Sequence, residues 1–529
     1  MAEKSISLVS YEGSFWRHVL RRLFTRRPLN QLEEEVAHSN FRRSLGALDL
    51  IMVGVGAIIG TGIFVLPGKV AGDNAGPAIS ISFIVAGIAS GLAGLSYAEM
   101  ASMIPVAGSA YTYASATMGE FVAFLIGWSL ILEYLLGAST VAVGWSGYTT
   151  DFFGSLGVSI NKHLTNAPVE WTENAFHVTG DYLNLPAVCI CITITIILMF
   201  GIRESARFNN IIVTMKVLVV LVFIFACIKF VDPSNYTPFI PENEGSFGRY
   251  GVTGMFQAAS IVFFAYIGFD AVTTTAQEAK NPQRDLPIGI LGSLLVCTVL
   301  YIAACLIMTG VVNYKDFARL ASQHAAPMAL VLNHTGMRWL NIIVDLGAIA
   351  GLTSVILVLL IAMPRILYTI GKDGLFPKFT TYLHPRFKTP VYTTIFCGMI
   401  TAILSGVLPL GVLSELTSAG TLLAFLFVHI GVIYLRFKEP DAPRKFKVPG
   451  GKIVILPLIG AALCILLLGT STTETLYRLA IWVAIGILFY AVYGYRHSRL
   501  NPSNQTLEVK VDRSKEENAI SEVEDVARV

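Results

Sequence analysis

Runs of roughly 20 apolar residues recur along almost the whole of this chain. Each is long enough to cross a hydrocarbon core about 30 Å thick as an α-helix. Few patterns constrain a fold more, because inside a bilayer every backbone polar group must be satisfied internally and only helices or closed barrels achieve that. The runs lie near residues 47–71, 77–101, 119–150, 185–203, 208–230, 251–275, 286–312, 339–371, 391–407, 409–435, 453–472 and 477–496, which predicts twelve spans. Between the ninth and tenth, Leu408-Pro409-Leu410-Gly411 supplies a turn. Composition agrees: 54% of the 529 residues are hydrophobic and 14% are charged, with a mean hydropathy of +0.65, which excludes an ordinary soluble enzyme.

Charge then sets orientation. Of the 38 Lys and Arg residues, 28 fall in the segments that are cytoplasmic if the N-terminus is inside. That asymmetry places both termini in the cytoplasm of a cell whose cytoplasmic membrane the chain spans. The domains read as a basic leader over 1–45, a twelve-helix unit over 46–497 and a cytoplasmic tail over 498–529. Within the unit, ten core helices end near 435 and two more follow at 453–496. The leader stretch Phe15 to Phe24 admits two readings, an amphipathic surface helix or a mobile basic tail. The seven cysteines all sit in apolar runs and form neither a disulfide framework nor a zinc spacing. With no phosphate loop, nucleophile elbow or His/Cys/Asp cluster, neither an enzyme, a cofactor nor a metal is expected. Acidic and basic residues are nearly balanced, so nucleic acid is not an expected partner.

Two runs are built to break. The first reads Gly54-Val55-Gly56-Ala57-Ile58-Ile59-Gly60-Thr61-Gly62-Ile63-Phe64, and four glycines in nine residues disfavour a continuous helix. Such glycines either seam two helices together or unwind the helix near Gly60 to Gly62, which is tolerated at membrane depth only beside a cavity. The sixth run, Phe263-Phe264-Ala265-Tyr266-Ile267-Gly268-Phe269-Asp270, places a glycine and an acid at its middle. Paired interruptions five spans apart favour unwinding, since they are expected of an inverted-repeat transporter with its substrate at the midplane.

With these motifs stand Ser96-Tyr97-Ala98-Glu99-Met100-Ala101, Pro105-Val106-Ala107-Gly108-Ser109-Ala110-Tyr111, Glu278-Ala279-Lys280-Asn281-Pro282-Gln283-Arg284-Asp285-Leu286-Pro287 and Pro364-Arg365-Ile366-Leu367-Tyr368 followed by Asp373-Gly374. Together and in order, over roughly residues 44–497, the chain resembles the amino acid, polyamine and organocation transporter superfamily. Within it the chain is most similar to bacterial members of the cationic amino acid transporter family. The resemblance implies an all-α polytopic membrane protein with a leucine-transporter-like 5+5 inverted repeat and twelve transmembrane helices.

A zwitterionic amino acid needs donors for its carboxylate and acceptors for its ammonium. Gly60, Thr61 and Gly62 can aim amides and one hydroxyl at the carboxylate, at a helix N-terminus that also favours negative charge. Carbonyls around Ile58 and around Phe264, Ala265 and Ile267 can meet the ammonium, at positions matching those the family uses, and Phe264 is either an aromatic gate or a packing residue. Ionisable groups inside spans need a reason. Glu133, in the third span, is a desolvated carboxyl suited to carrying a proton, or a neutral group bonded to a neighbouring helix. Lys216 lies about 12 Å deep in the fifth span at 1.5 Å per residue. It matches the lysine that, in sodium-independent relatives, replaces the cation bridging the first and eighth helices. Asp270 reads either as a cap for the second half of helix six or as part of a proton path, the cap being the blander role, and Asp285 reads as an N-cap. Glu99, Arg365, Glu278 and Arg284 are either latch pairs or solvated charges, and His429 is a bonded helix contact. On the eighth helix the resemblance makes Leu352 a bulky limit on substrate side-chain size, favouring a small or medium neutral amino acid.

The expectation is a secondary active amino acid permease of the cytoplasmic membrane, proton-coupled and sodium-independent, with amino acid, protons and the lipid bilayer as partners. An exchanger, a polyamine or organocation permease and a non-transporting sensor are the alternatives; a channel lacks a filter motif.

Overall fold

The computed structural model describes residues 25–26, 45–103, 109–172, 175–200, 206–275, 278–320, 326–386, 389–440, 444–450 and 454–501. The leader stretch 15–24, the motif residues Pro105 to Gly108 and the tail beyond 501 lie outside them. The chain opens with α1 (Ala47–Ile58), α2 (Thr61–Phe64) and α3 (Leu66–Val70), and then turns through Ala71–Ala78 into α4 (Ile79–Met103). After α5 (Ser109–Thr117) and the long α6 (Glu120–Ser155) comes a hairpin of β1 (Val169–Thr172) and β2 (Ala175–Val178), antiparallel, with Trp171 opposite Phe176. Then follow α7 (Leu185–Met199), α8 (Ala206–Cys227), α9 (Gly251–Val262), a 3₁₀ turn at Phe263–Tyr266 and α10 (Ala271–Thr274). The remainder is α11 (Pro282–Val311), the short α12 (Tyr314–Leu320) and α13 (Pro327–Thr335), α14 (Arg338–Lys372), α15 (Val391–Val407), α16 (Leu410–Lys438), α17 (Ile455–Gly469) and α18 (Thr473–Phe489).

Among the described residues, eight helical stretches are long and apolar enough to cross a membrane, and Ala47–Ile58, Leu185–Met199, Val391–Val407 and Ile455–Gly469 are shorter apolar helices. Each predicted run holds one of these. The chain does break at Leu408-Pro409, where α15 ends and α16 begins.

The middle of the bundle is α6. It is mostly apolar and buried along most of its length, as a helix enclosed by others must be, and it packs on α14, α16, α15 and α7. Small residues let its neighbours come close: a Cβ on Gly144 would stand 2.6 Å from Thr61 Cγ2 and 2.8 Å from Val65 Cγ2. A seam of this kind holds α6 directly against the first broken helix. On the other flank α11 packs along both α1 and α4, and α8 lies between α1 and α14. The interrupted segments are therefore enclosed by continuous helices, which is the condition under which irregular backbone survives at membrane depth.

Candidate functional site

Helix α1 stops at Ile58, Ile59 is extended (φ −71°, ψ 101°), and Gly60 (φ −153°, ψ −137°) precedes the restart at Thr61. The first bonds of the restarted helix run from the Ile63 and Phe64 amides to the Gly60 carbonyl. The amides of Thr61 and Gly62 therefore precede the first intrahelical bond, as helix-start donors do. Beside them Thr61 is 1% exposed and, among the described residues, its hydroxyl has no hydrogen-bond partner. A buried orphan hydroxyl at a helix start is what a carboxylate would satisfy.

The sixth run breaks in the same layer. Past the 3₁₀ turn, Ile267 is extended and Gly268 takes φ 112°. Only glycine suits this position, because a Cβ would also stand 2.9 Å from the Ala57 carbonyl oxygen. Ala265 faces Gly62 so closely that any Cβ on Gly62 would collide with its backbone. The two breaks are thus in contact.

The expected ammonium acceptors are more occupied than the sequence implies. The Phe264 carbonyl accepts the Ile267 amide at 3.1 Å. The hydroxyl of Tyr301, on α11, lies 2.8 Å from both the Ile58 and the Ala265 carbonyl oxygens. A hydroxyl has one proton to donate, so Tyr301 satisfies these two carbonyls alternately and leaves one available to an ammonium. The sequence reading missed Tyr301, although a lone tyrosine inside Leu294 to Ile307 was a signal that a buried phenol needs a partner. It also missed Ser418 of α16, which accepts the Phe264 amide at 3.1 Å and donates to the Ile261 carbonyl at 3.0 Å. Tyr301→Phe leaves both carbonyls without this donor and free for the ammonium, so it is expected to tighten substrate binding severalfold while lowering the stability of the empty protein. Titrating purified variant and wild type with labelled ligand checks this; unchanged affinity would exclude Tyr301 from the site.

Lys216 is fully buried, and its ammonium donates to the Gly56 carbonyl at 2.9 Å and the Ile59 carbonyl at 3.3 Å. Its alkyl chain lies against Gly351 of α14, where a Cβ would stand 3.3 Å from Cγ and Cε. The lysine therefore joins the end of α1, through its carbonyls, to α14. One turn further along α14, Val355 faces Gly60: a Cβ there would stand 3.2 Å from Val355 Cγ2. Leu352 is buried on the same helix, and Val355 is the side chain placed against the break.

Glu133 is buried on α6, with Thr421 and Asp270 among the polar groups facing it. Asp270 departs from expectation. Its carboxylate makes no cap to α10 and instead accepts the Tyr134 hydroxyl at 2.5 Å. Tyr97 and Tyr113 are buried near the same acid. Two carboxyls and three phenols thus gather beside the second half of the sixth broken helix.

Near the C-terminal end of α4, Glu99 is buried and ion-paired rather than solvated, and its partners are not the residues considered beside it. Arg436 of α16 grips both its carboxylate oxygens, at 2.9 and 2.5 Å, the Val448 amide donates at 2.8 Å, and Arg444 stands 3.7 Å away. Arg365 is exposed, with Glu278 the acid nearest in effect. Asp285 is no N-cap either: α11 already begins at Pro282, and Asp285 reaches back to accept the Asn281 amide at 3.2 Å. His429 is a bonded helix contact, its Nδ1 2.9 Å from the Ser96 hydroxyl.

Comparison with known proteins fits this geometry. The family model described as amino acid permease matches residues 45–493. The chain is 46% identical to the branched-chain amino acid permease BcaP of Bacillus subtilis over 462 residues, covering 87% of this chain and 95% of that one. It is 42% identical to the methylthioribose transporter of the same organism over 479 residues, 90% and 99% of the two chains. It is 38% identical to the vacuolar cationic amino acid transporter 4 of Arabidopsis thaliana over 409 residues, 75% of this chain and 64% of that protein.

Proposed function

Because the chain belongs to the amino acid permease family, and is an amino acid transporter rather than an enzyme, we propose that it is a secondary active permease for small or medium neutral amino acids. On this reading it forms a 5+5 inverted repeat with twelve membrane helices, both termini lying in the cytoplasm. The substrate binds where the first and sixth helices break. Its carboxylate meets the Thr61 hydroxyl and the amides of Gly60, Thr61 and Gly62. Its ammonium shares the carbonyls of Ile58, Ala265 and Ile267 with Tyr301, under Phe264. Val355 and Leu352 bound the side chain. The observation that carries this reading is the orphaned Thr61 hydroxyl beside two broken helices in contact.

Coupling follows from the two buried ionisable groups. A fixed ammonium on the Gly56 and Ile59 carbonyls supplies the charge a sodium ion would bring, and repels sodium from the same place. Protonation of Glu133 can then bias the protein toward one state, because a ligand shifts an equilibrium only by its differential affinity for the two states. Replacing sodium with choline is expected to leave initial uptake into proteoliposomes unchanged, and an inward proton gradient to raise it severalfold. Strict sodium dependence would defeat the coupling scheme.

A second reading deserves its own arm of the test, since the methylthioribose transporter is nearly as similar as the branched-chain permease. Uptake of a panel of labelled amino acids, with methylthioribose beside them, separates the two. Transport of leucine, valine or alanine supports the amino acid reading. Transport of methylthioribose alone overturns it, because that ligand lacks the α-carboxylate and ammonium the broken helices address.

A further inference from the structure

Beyond the broken helices, toward the β-hairpin, lies a cavity of about 250 Å³. Its floor includes Leu66, Val70, Ile261 and Val412, which belong to α3, α9 and α16. Leu66 and Ile261 lie within a few residues of the two breaks in sequence. Its rim is charged, with Lys69, Asp73, Glu170, Glu415, Glu474 and Arg478 all lining it.

Only part of this charge is paired off among the described residues. Lys69 and Asp73 pair at 2.7 Å. Glu415 accepts the hydroxyls of Thr472 and Thr475 through one carboxylate oxygen, at 2.9 and 2.8 Å. Arg478 is held over the Trp171 ring, 4.2 Å from its centroid, with Phe176 at 5.8 Å. This stacking uses the face of the guanidinium and leaves its edge to donate. Its Nη2 is buried and, among the described residues, lacks a hydrogen-bond partner. The hairpin thus holds a guanidinium at the mouth of an apolar chamber, with acids facing it.

A planar donor edge, carboxylates opposite and an apolar floor are what a zwitterion with an aliphatic side chain requires. We propose that this cavity is a second, weaker amino acid site on the route to the central one. Arg478 takes the carboxylate, Glu415 the ammonium, and the floor takes the side chain. The site is built partly from the hairpin and the last helix, outside the helices that break. The proposal rests on the reading that the protein carries neutral amino acids, and the test separates the two.

Labelled leucine is titrated against the purified full-length protein in detergent, comparing wild type, Gly60→Leu, Arg478→Gln and the double variant. Wild type is expected to bind two equivalents, one at least about tenfold weaker than the other. Gly60→Leu removes the tight one and leaves the weak one, which Arg478→Gln abolishes. Arg478→Gln alone keeps the tight class and drops the stoichiometry from two to one. A single equivalent in wild type, or a weak class that survives Arg478→Gln, overturns the proposal. So does a weak class that takes arginine or choline in place of leucine, since the site would then serve cations only. If Gly60→Leu keeps its tight class, the central assignment fails instead, and the fall in stoichiometry in Arg478→Gln still decides the outer site.

Discussion

Lys216→Met is expected to lower gradient-driven uptake by about a hundredfold or more while leaving the protein inserted and folded. Methionine keeps most of the length and volume that the lysine alkyl chain fills against Gly351, so packing survives. What goes is an ammonium that donates to the Gly56 and Ile59 carbonyls at 2.9 and 3.3 Å. Charge-assisted hydrogen bonds contribute about 1.5–3 kcal/mol each. Losing both removes on the order of 3–6 kcal/mol from whichever state holds them, equivalent to a hundredfold or more at 1.4 kcal/mol per tenfold. The unwound end of α1 would then lack a partner for two buried carbonyls and would favour another arrangement. The measurement is initial uptake into proteoliposomes under an imposed proton gradient, with reconstituted amounts matched. Uptake within threefold of wild type would show that Lys216 is a packing residue and that the cation it was thought to replace is not needed.

What the sequence disclosed about this site follows from what is costly in a bilayer. A lysine, a glutamate or a cluster of glycines inside an apolar run stands out because each is disfavoured there, and Lys216, Glu133, Gly60 and Gly268 were legible for that reason. Two helices could be seen to break because both interruptions are written in local composition. Partners were not legible. Glu99 showed itself as an acid near a helix end, either paired or solvated, but Arg436 and Arg444, some 340 residues further on, could not be matched to it from spacing alone. Asp270 suggested a cap because its position in the chain allows one, whereas the packing of α6 against the sixth run delivers Tyr134 to it first. Tyr301 and Val355 were missed for a related reason. Either is unremarkable in an apolar helix, and only the packing of α11 and α14 on the breaks gives them a role. Leu352 came from a family position, with Val355 not considered, and the geometry puts the valine, four residues beyond Gly351 and so on the same helical face, against Gly60.

The glycines of the first break separate into two kinds, and this yields the sharper test. A Cβ on Gly62 would meet the backbone of Ala265, which cannot yield without moving the sixth helix. A Cβ on Gly60 would meet a methyl of Val355 at 3.2 Å, a side chain that can give by a few tenths of an ångström. Gly62→Leu is therefore expected to destabilise the protein and lose binding together. Gly60→Leu is expected to unfold near the wild-type temperature and yet bind its amino acid at least about a hundredfold more weakly, because its side chain fills the space before the Thr61 and Gly62 amides. Thr61→Val completes the argument with opposite signs. Removing a buried hydroxyl that has no partner relieves a desolvation cost of about 1–3 kcal/mol in the empty protein, so thermal stability should rise. Removing the same hydroxyl from a bound carboxylate should cost about tenfold in affinity. Thermal unfolding and ligand titration of the three variants measure both quantities. A Gly60→Leu protein with unchanged affinity, or a Thr61→Val protein that loses stability and keeps its affinity, would place the carboxylate somewhere other than the break in the first helix.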